Sequence, residues 1–231
     1  MRCSNAIDDM AAYSPIRLYI FIERWAMVNN LNLNKNKSQE IIVFPSERSR
    51  NKSPTVPTLP EIERVTTLKI LGVDFSHNLS VTHHVTRVCQ TSAQSLYAIK
   101  KLVAHGMDSQ SVKLICQATI ITRLTYASPA WWGFASADDK LRLQAVLNRA
   151  VKWGYYGRND PDIVYICGKK EDKLFAAVLA NSQHVLHQFL PEEKKITYNL
   201  RPRTHCRTLP SKTNTLICKN FITRLLYKSL Q

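Results

Sequence analysis

The chain has 231 residues and a formal charge of +15, from 32 Lys and Arg against 17 Asp and Glu. With 45% hydrophobic and 21% charged residues it lies outside the composition of disordered chains, so we expect one or two folded domains. No run approaches the ~18 apolar residues of a membrane span, and no apolar signal core follows the first residues. These features favour an intracellular protein of the nucleus or cytoplasm. The six cysteines are widely spaced, without a C-x-x-C pair, and are interpreted as reduced thiols.

The first 78 residues have the pattern of a helix, a turn and two strands. Residues 23–30 are typical of the end of an amphipathic helix, and the β-branched run 40–44, ended by Pro45, predicts a buried strand. Residues 45–60 contain four prolines and no apolar face, so we expect the least ordered internal segment there. Residues 69–75 predict a second short strand, with a bulge at Gly72.

From Ser80 the hydrophobic spacing becomes helical, and short loops between the helices indicate a bundle. Three helices are predicted, from Ser80 to Gly106, from Asp108 or Ser109 to Pro129, which ends or kinks the helix, and from a Ser136–Asp139 capping box to Gly154. Trp131 and Trp132 are interpreted as core or hinge packing rather than as a base-stacking platform. A fourth helix is predicted over residues 169–181 and a short amphipathic helix over residues 221–227.

The positive charge is unevenly distributed along the chain. The formal charges are +2 for residues 1–78, +6 for residues 79–157, 0 for residues 158–191 and +7 for residues 192–231. A field of this kind attracts polyanions, and the usual one inside a cell is nucleic acid. An anionic membrane surface is the competing partner. Nucleic acid is favoured because Pro191, Pro202 and Pro210 break the long amphipathic helix that membrane binding requires.

The sequence contains no recognisable catalytic or metal-binding pattern. His184 and His187 have a spacing that suits a shared metal, but no further ligand lies at a usual distance along the chain. Asp8 and Asp9 are adjacent, as in two-metal phosphoryl-transfer sites, but such a site needs another carboxylate from a different strand. Only seven residues precede Asp8, so that ligand is not upstream. We therefore predict no catalytic residues, no metal site and no cofactor in this chain.

A longer, ordered pattern covers about residues 15–231, and its motifs follow one another along the chain. The first motif is W-x-x-x-N-N-L-x-L-N-x-x-K-S-x-E-I-I-V-F at residues 25–44. The following motifs are LP-x-IERV-x-x-LKILGV at 59–73, HV at 84–85, LYAI at 96–99, AHGM at 104–107, LTYASPAW at 124–131, LF at 174–175, HVLH at 184–187, LP at 190–191, YNLRPRTH at 198–205 and FITRLLY at 221–227. Each motif is weak alone, but the collinear set resembles the C-terminal part of jockey-type non-LTR retrotransposon reverse transcriptases.

The resemblance implies an α+β fold in three parts. These are an incomplete palm remnant with the primer-grip strand over residues 1–78, a mainly α-helical thumb bundle over residues 79–157, and a loop-rich, basic C-terminal extension over residues 158–231. It places Leu71, Gly72 and Val73 beside the primer end, although a bulged core strand explains the same residues equally well.

The family's catalytic centre, a Y-A-D-D strand and an earlier Asp that bind Mg²⁺, precedes this region. Residues 6–9, A-I-D-D, match that strand only superficially, and Asp9 lies too close to Trp25 for the family's intervening strand and helix. We therefore expect a truncated RNA-directed DNA polymerase fragment that lacks the fingers and most of the palm. In the intact family protein, those missing segments are the partners of this fragment. The alternatives are a stand-alone basic nucleic-acid-binding protein derived from such an enzyme, and a relic open reading frame without selected function.

The expected ligand of the fragment is template-primer RNA, DNA or RNA–DNA hybrid. A thumb holds its duplex by the sugar–phosphate backbone, and such contacts are independent of sequence. The basic residues predicted to make them are Lys100, Lys101 and Arg149 in the bundle and Arg201, Arg203 and Arg207 in the tail.

Overall fold

In a computed structural model, helices and two small sheets form the parts of the chain that the structure describes, residues 15–44, 57–193 and 205–228. The helices are α1 Pro15–Val28, α2 Thr82–Ala104, α3 Ser109–Cys116, α4 Thr122–Leu124, α5 Ser128–Trp131, α6 Ala137–Lys152, α7 Ile163–Ala180, α8 Thr215–Lys219 and α9 Phe221–Lys228. The strands are β1 Gln39–Glu40, β2 Glu63–Arg64, β3 Thr67–Ile70 and β4 Val73–Ser76. The chain is therefore of the α+β class, as predicted.

The chain divides into two compact units. The N-terminal unit comprises Met1–Leu68 and Ser76–Asn78, and the helical unit comprises Lys69–Phe75 and Leu79–Gln231. The division into three domains at residues 78 and 157 stays a prediction. Most of the segment predicted to be least ordered, residues 45–56, lies outside the described residues, as do Asp8 and Asp9.

In the N-terminal unit, α1 ends at Val28 and Asn30 adopts the left-handed conformation that ends the helix, as predicted. Strands β1 and β2 pair in parallel, with Glu40 opposite Arg64. The buried strand predicted over residues 40–44 is wrong beyond Glu40, because β2 ends at Arg64 and offers no further ladder partner. Residues 41–44 have no regular structure, and Val43 is exposed.

Strands β3 and β4 form a hairpin where the sequence predicted one strand with a bulge. The two residues between them, Leu71 and Gly72, have φ angles of +46° and +88°. Two successive left-handed residues reverse the chain in the manner of a two-residue hairpin loop. The bulge prediction was wrong because Leu-Gly is not one of the common turn dipeptides and Leu rarely adopts a positive φ.

In the helical unit, several predicted helix boundaries are confirmed. Gly106 ends α2 with φ +90°, Asp108 caps α3 through two backbone N–H groups, and Ser136 opens α6 with a complete capping box. Helix α3 continues through a π-helical turn, Gln117–Ile121, into α4.

Two predicted helix boundaries are wrong. The second helix ends at Leu124, well before Pro129, which instead lies in the first turn of α5, where its missing N–H costs nothing. Helix α7 begins at Ile163 rather than at Lys169, because the Asp162 carboxylate accepts a hydrogen bond from the N–H of Tyr165 and caps the helix earlier.

The core of the helical unit combines side chains from β4 and helices α2 to α7. Trp131 is fully buried and Trp132 is 5% exposed, so their predicted role in core packing is confirmed. A smaller cluster of Phe175, Leu225 and Leu226 packs α9 against α7. Burial raises the pKa of the Cys116 and Cys167 thiols to about 11, which keeps both protonated at neutral pH.

Candidate nucleic-acid interface

Helices α2 and α6 pack side by side and run in the same direction. Near their first turns the Thr82 hydroxyl donates a 3.0 Å hydrogen bond to the Asp139 carboxylate. Near their C-terminal ends the Lys100 ammonium lies 5.8 Å from the centroid of the Trp153 ring. The C-terminal ends of the two helices therefore lie together.

This pair of helix ends forms a basic and aromatic surface, which we call the basic end. Its residues are Tyr97, Lys100, Lys101, Arg149, Lys152 and Trp153, all exposed to solvent. The last two turns of α2 and α6 contain no Asp or Glu, and no ion pair joins Lys100, Lys101 or Arg149 to an acid among the described residues. Cations are favoured here because helix C-termini carry partial negative charge. The cationic groups remain available to an external anion.

Three of the six predicted backbone contacts, Lys100, Lys101 and Arg149, thus meet at one surface. Arg201 and Arg203 lie outside the described residues. Arg207 serves the fold, because its guanidinium donates a 2.9 Å hydrogen bond to the Pro191 carbonyl and lies 3.1 Å from the Glu193 carboxylate. Its side chain is only 11% exposed, so we do not include Arg207 in the candidate interface.

The predicted primer-grip residues form the hairpin turn between β3 and β4. Leu71 is 88% exposed at the tip, whereas Val73 is buried in the helical core. The Arg87 guanidinium donates a 2.7 Å hydrogen bond to the Gly72 carbonyl, and the Tyr126 hydroxyl donates one of 3.2 Å to the Leu71 carbonyl. These two bonds fix the turn to the bundle and present its apolar tip to solvent.

The hairpin tip and the basic end are separated along a single helix. Arg87, which holds the turn, and Lys100, at the basic end, both belong to α2. Thirteen residues of α-helix correspond to about 20 Å at 1.5 Å per residue. A duplex lying along α2 would span this distance in roughly six steps of 3.4 Å.

A buried histidine lies beneath the hairpin. His84 is 2% exposed, its Nδ1 lies 3.3 Å from an Arg87 nitrogen and 3.8 Å from the Asp74 carboxylate, and its ring packs edge-on against Trp131. The pKa of His84 is lowered, mainly by burial and then by the charge of Arg87, against the opposing effect of Asp74. His84 is therefore neutral in the folded protein at pH 7.

We expect this histidine to make the protein less stable in mild acid. Below pH 6.5, the ordinary pKa of histidine, the unfolded chain binds a proton that the folded ring resists, so acid favours unfolding. His84 contributes at most about 1.4 kcal/mol per pH unit to the change of the unfolding free energy with pH. The free energy of unfolding, measured with urea at several pH values between 7.5 and 5, should fall less steeply with decreasing pH for His84→Gln than for wild type. The control His83→Gln, at an exposed neighbour, should keep the wild-type slope, and equal slopes in all three proteins would contradict the expectation.

The described residues contain no group of three or more His, Cys, Asp or Glu that could hold a metal ion, and His184 and His187 therefore belong to no such group. None of the helices in the described ranges is long and apolar enough to cross a membrane. We find no match to the chain among protein-family models, curated proteins or solved structures.

Proposed function

We propose that this chain is a fragment of a non-LTR retrotransposon reverse transcriptase whose helical unit binds the sugar–phosphate backbone of a template-primer duplex. The observation that carries the proposal is the basic end, where Lys100, Lys101 and Arg149 are exposed at the C-terminal ends of α2 and α6 and form no ion pair with an acid among the described residues. Exposed ammonium and guanidinium groups on a helical surface suit phosphate, which they bind irrespective of base sequence. RNA–DNA hybrid and duplex RNA are the ligands that the family resemblance suggests.

An apolar helix surface in the N-terminal unit supports a fragment over a stand-alone binding protein. In α1 the large side chains Leu18, Phe21, Trp25, Met27 and Val28 are between 53% and 78% exposed. Monomeric proteins rarely leave so many large apolar side chains bare on one element, because contiguous patches of this kind promote association. Another part of a larger enzyme would cover this surface.

Removal of the three charges at the basic end is the test of this function. We expect Lys100→Gln, Lys101→Gln, Arg149→Gln to weaken binding to a labelled RNA–DNA hybrid on the order of 30-fold at moderate salt, since each charge-assisted contact is lost. The slope of log K against log salt concentration should become shallower by about 3, close to 0.9 for each phosphate contact. Fluorescence anisotropy titrations at several salt concentrations measure both quantities.

The control variant removes three exposed charges elsewhere, Lys169→Gln, Lys173→Gln, Lys219→Gln. It has the same net charge as the test variant, so a purely long-range effect would weaken both equally. Equal loss in the two variants, or salt-independent binding by the wild type, would rule out a local phosphate site. Absence of any binding would favour the relic open reading frame.

We predict that these 231 residues have no polymerase activity by themselves. Nucleotide addition needs Mg²⁺ held by carboxylates from separate strands, and the sequence provides no such set beside Asp8 and Asp9. Primer extension with Mg²⁺ or Mn²⁺ should remain at background. Incorporation that disappears in Asp9→Ala would overturn this prediction.

A further inference from the structure

We propose that the basic end also binds unpaired bases, with Tyr97 and Trp153 as stacking surfaces, so that its preferred ligand is a duplex with a single-stranded extension. This inference rests on the proposed function and adds a ligand class to the same surface. Tyr97 belongs to α2 and Trp153 directly follows α6, and both rings lie beside the cations of the basic end.

These two rings are more exposed than the tryptophans elsewhere in the helical unit. Tyr97 is 59% exposed and Trp153 is 37% exposed, whereas Trp131 and Trp132 are buried in the core. Trp153 is steadied on one side by Tyr155, which packs edge-to-face with a centroid distance of 5.8 Å. A flat, partly fixed and accessible ring suits a nucleobase, and such stacking tolerates any base because every base has a π-face.

Each ring already carries a cation at the place that a nucleotide would take. The Lys101 ammonium lies 5.4 Å from the centroid of Tyr97, and the Lys100 ammonium lies 5.8 Å from that of Trp153. An exposed cation–π contact is weaker than a base–aromatic stack. A nucleotide offers a phosphate to the ammonium and a base to the ring. Each cation–π contact is then replaced by an ammonium–phosphate contact and a base–ring stack, both of which are stronger.

The combination of a basic surface with accessible aromatic rings is typical of single-strand binding sites, whereas duplex contacts need the cations alone. Inside a paired duplex, away from its two ends, the base faces are stacked on one another and unavailable to Tyr97 or Trp153. The aromatic residues should therefore raise the affinity for a probe with unpaired nucleotides more than the affinity for a blunt duplex.

The test compares two probes, a blunt RNA–DNA hybrid and the same hybrid with an unpaired RNA extension. Wild-type protein should bind the extended probe about tenfold or more tightly, the range expected for one or two stacked bases. Tyr97→Leu, Trp153→Leu should bring the ratio of the two affinities close to one, whether or not the affinity for the blunt hybrid itself changes. Tyr97→Phe, Trp153→Phe, which retains aromatic faces at both positions, should restore most of the preference.

Tyr165→Leu is the matched control for removing an exposed ring. Tyr165 is 55% exposed and carries the Lys169 ammonium 5.5 Å from its centroid, but it lies in the neutral segment 158–191. This variant should keep the preference for the extended probe. Equal binding of both probes by wild type, or an unchanged preference in the Leu double variant, would overturn the inference. The proposed function would survive either result if the triple charge variant still lost affinity for the blunt hybrid.

Discussion

Arg224→Met is expected to destabilise the helical unit by about 3–5 kcal/mol, because it strands a buried charge. Glu171 in α7 is 2% exposed, and both of its carboxylate oxygens accept hydrogen bonds from the Arg224 guanidinium of α9, one of them at 2.7 Å. Without Arg224 the carboxylate must stay charged without a partner or bind a proton. Chemical denaturation followed by circular dichroism measures the loss of stability.

A neighbouring ion pair between the same two helices provides the control. Lys228 and Asp172 approach to 2.6 Å, but their side chains are 47% and 48% exposed. Lys228→Met should therefore cost no more than about 1 kcal/mol, as is usual for a solvated pair. Replacing both buried partners, in Glu171→Leu, Arg224→Met, should recover much of the stability lost in Arg224→Met. If Arg224→Met and Lys228→Met caused the same small loss of stability, burial of the Glu171–Arg224 pair would not have the effect assigned to it.

Local signals explain why most of the helical unit could be predicted from the sequence. Gly106, Asp108 and Ser136 act on backbone groups within a few residues of themselves, so a helix end can be recognised without knowledge of its neighbours. The errors occur where distant pairing decides. Residues 41–44 look like a strand, but whether they form one depends on how far β2 extends, and that segment is more than 20 residues away.

The candidate interface also has a part that could be predicted from the sequence and a part that depends on packing between distant segments. Lys100, Lys101 and Arg149 were predicted from the uneven charge along the chain, which is a property of the sequence, and their contact with nucleic acid stays a prediction. The pairing of Lys100 with Trp153 was not, because the two residues are 53 positions apart and meet only when α2 and α6 pack in parallel. Arg207 shows the opposite limit, since a basic residue in a basic segment turned out to be engaged within the fold.

The residues that hold the hairpin turn are the ones whose roles sequence reasoning missed altogether. Arg87 and Tyr126 hold the turn by donating to backbone carbonyls, and the sequence contains no motif that marks a side chain for this purpose. A conceivable signal was the opposite charge of Asp74, which also accepts a 2.8 Å hydrogen bond from Arg87. Such a pairing becomes specific only once β4 and α2 are placed side by side.

Alanine substitutions at two glycines should change stability in opposite directions. At Gly133, in the 3₁₀ turn Trp132–Phe134, an added Cβ would overlap the Lys219 carbonyl oxygen and lie 2.8 Å from Nε of Arg224. The contact includes backbone, so Gly133→Ala must displace α8 or distort the buried Glu171–Arg224 pair. Overpacking of this kind costs about 1–3 kcal/mol.

At Gly168, within α7, the nearest atom to an added Cβ would be the Lys228 ammonium at 3.9 Å, the end of a flexible side chain. Gly168→Ala meets no obstacle and gains helix propensity, so it should stabilise the protein by about 0.5–1 kcal/mol. Urea unfolding of wild type and the two variants should place Gly133→Ala below and Gly168→Ala above the wild-type midpoint. If Gly133→Ala were as stable as wild type, the turn would have room for a side chain, and the close packing of α8 against it would be wrong.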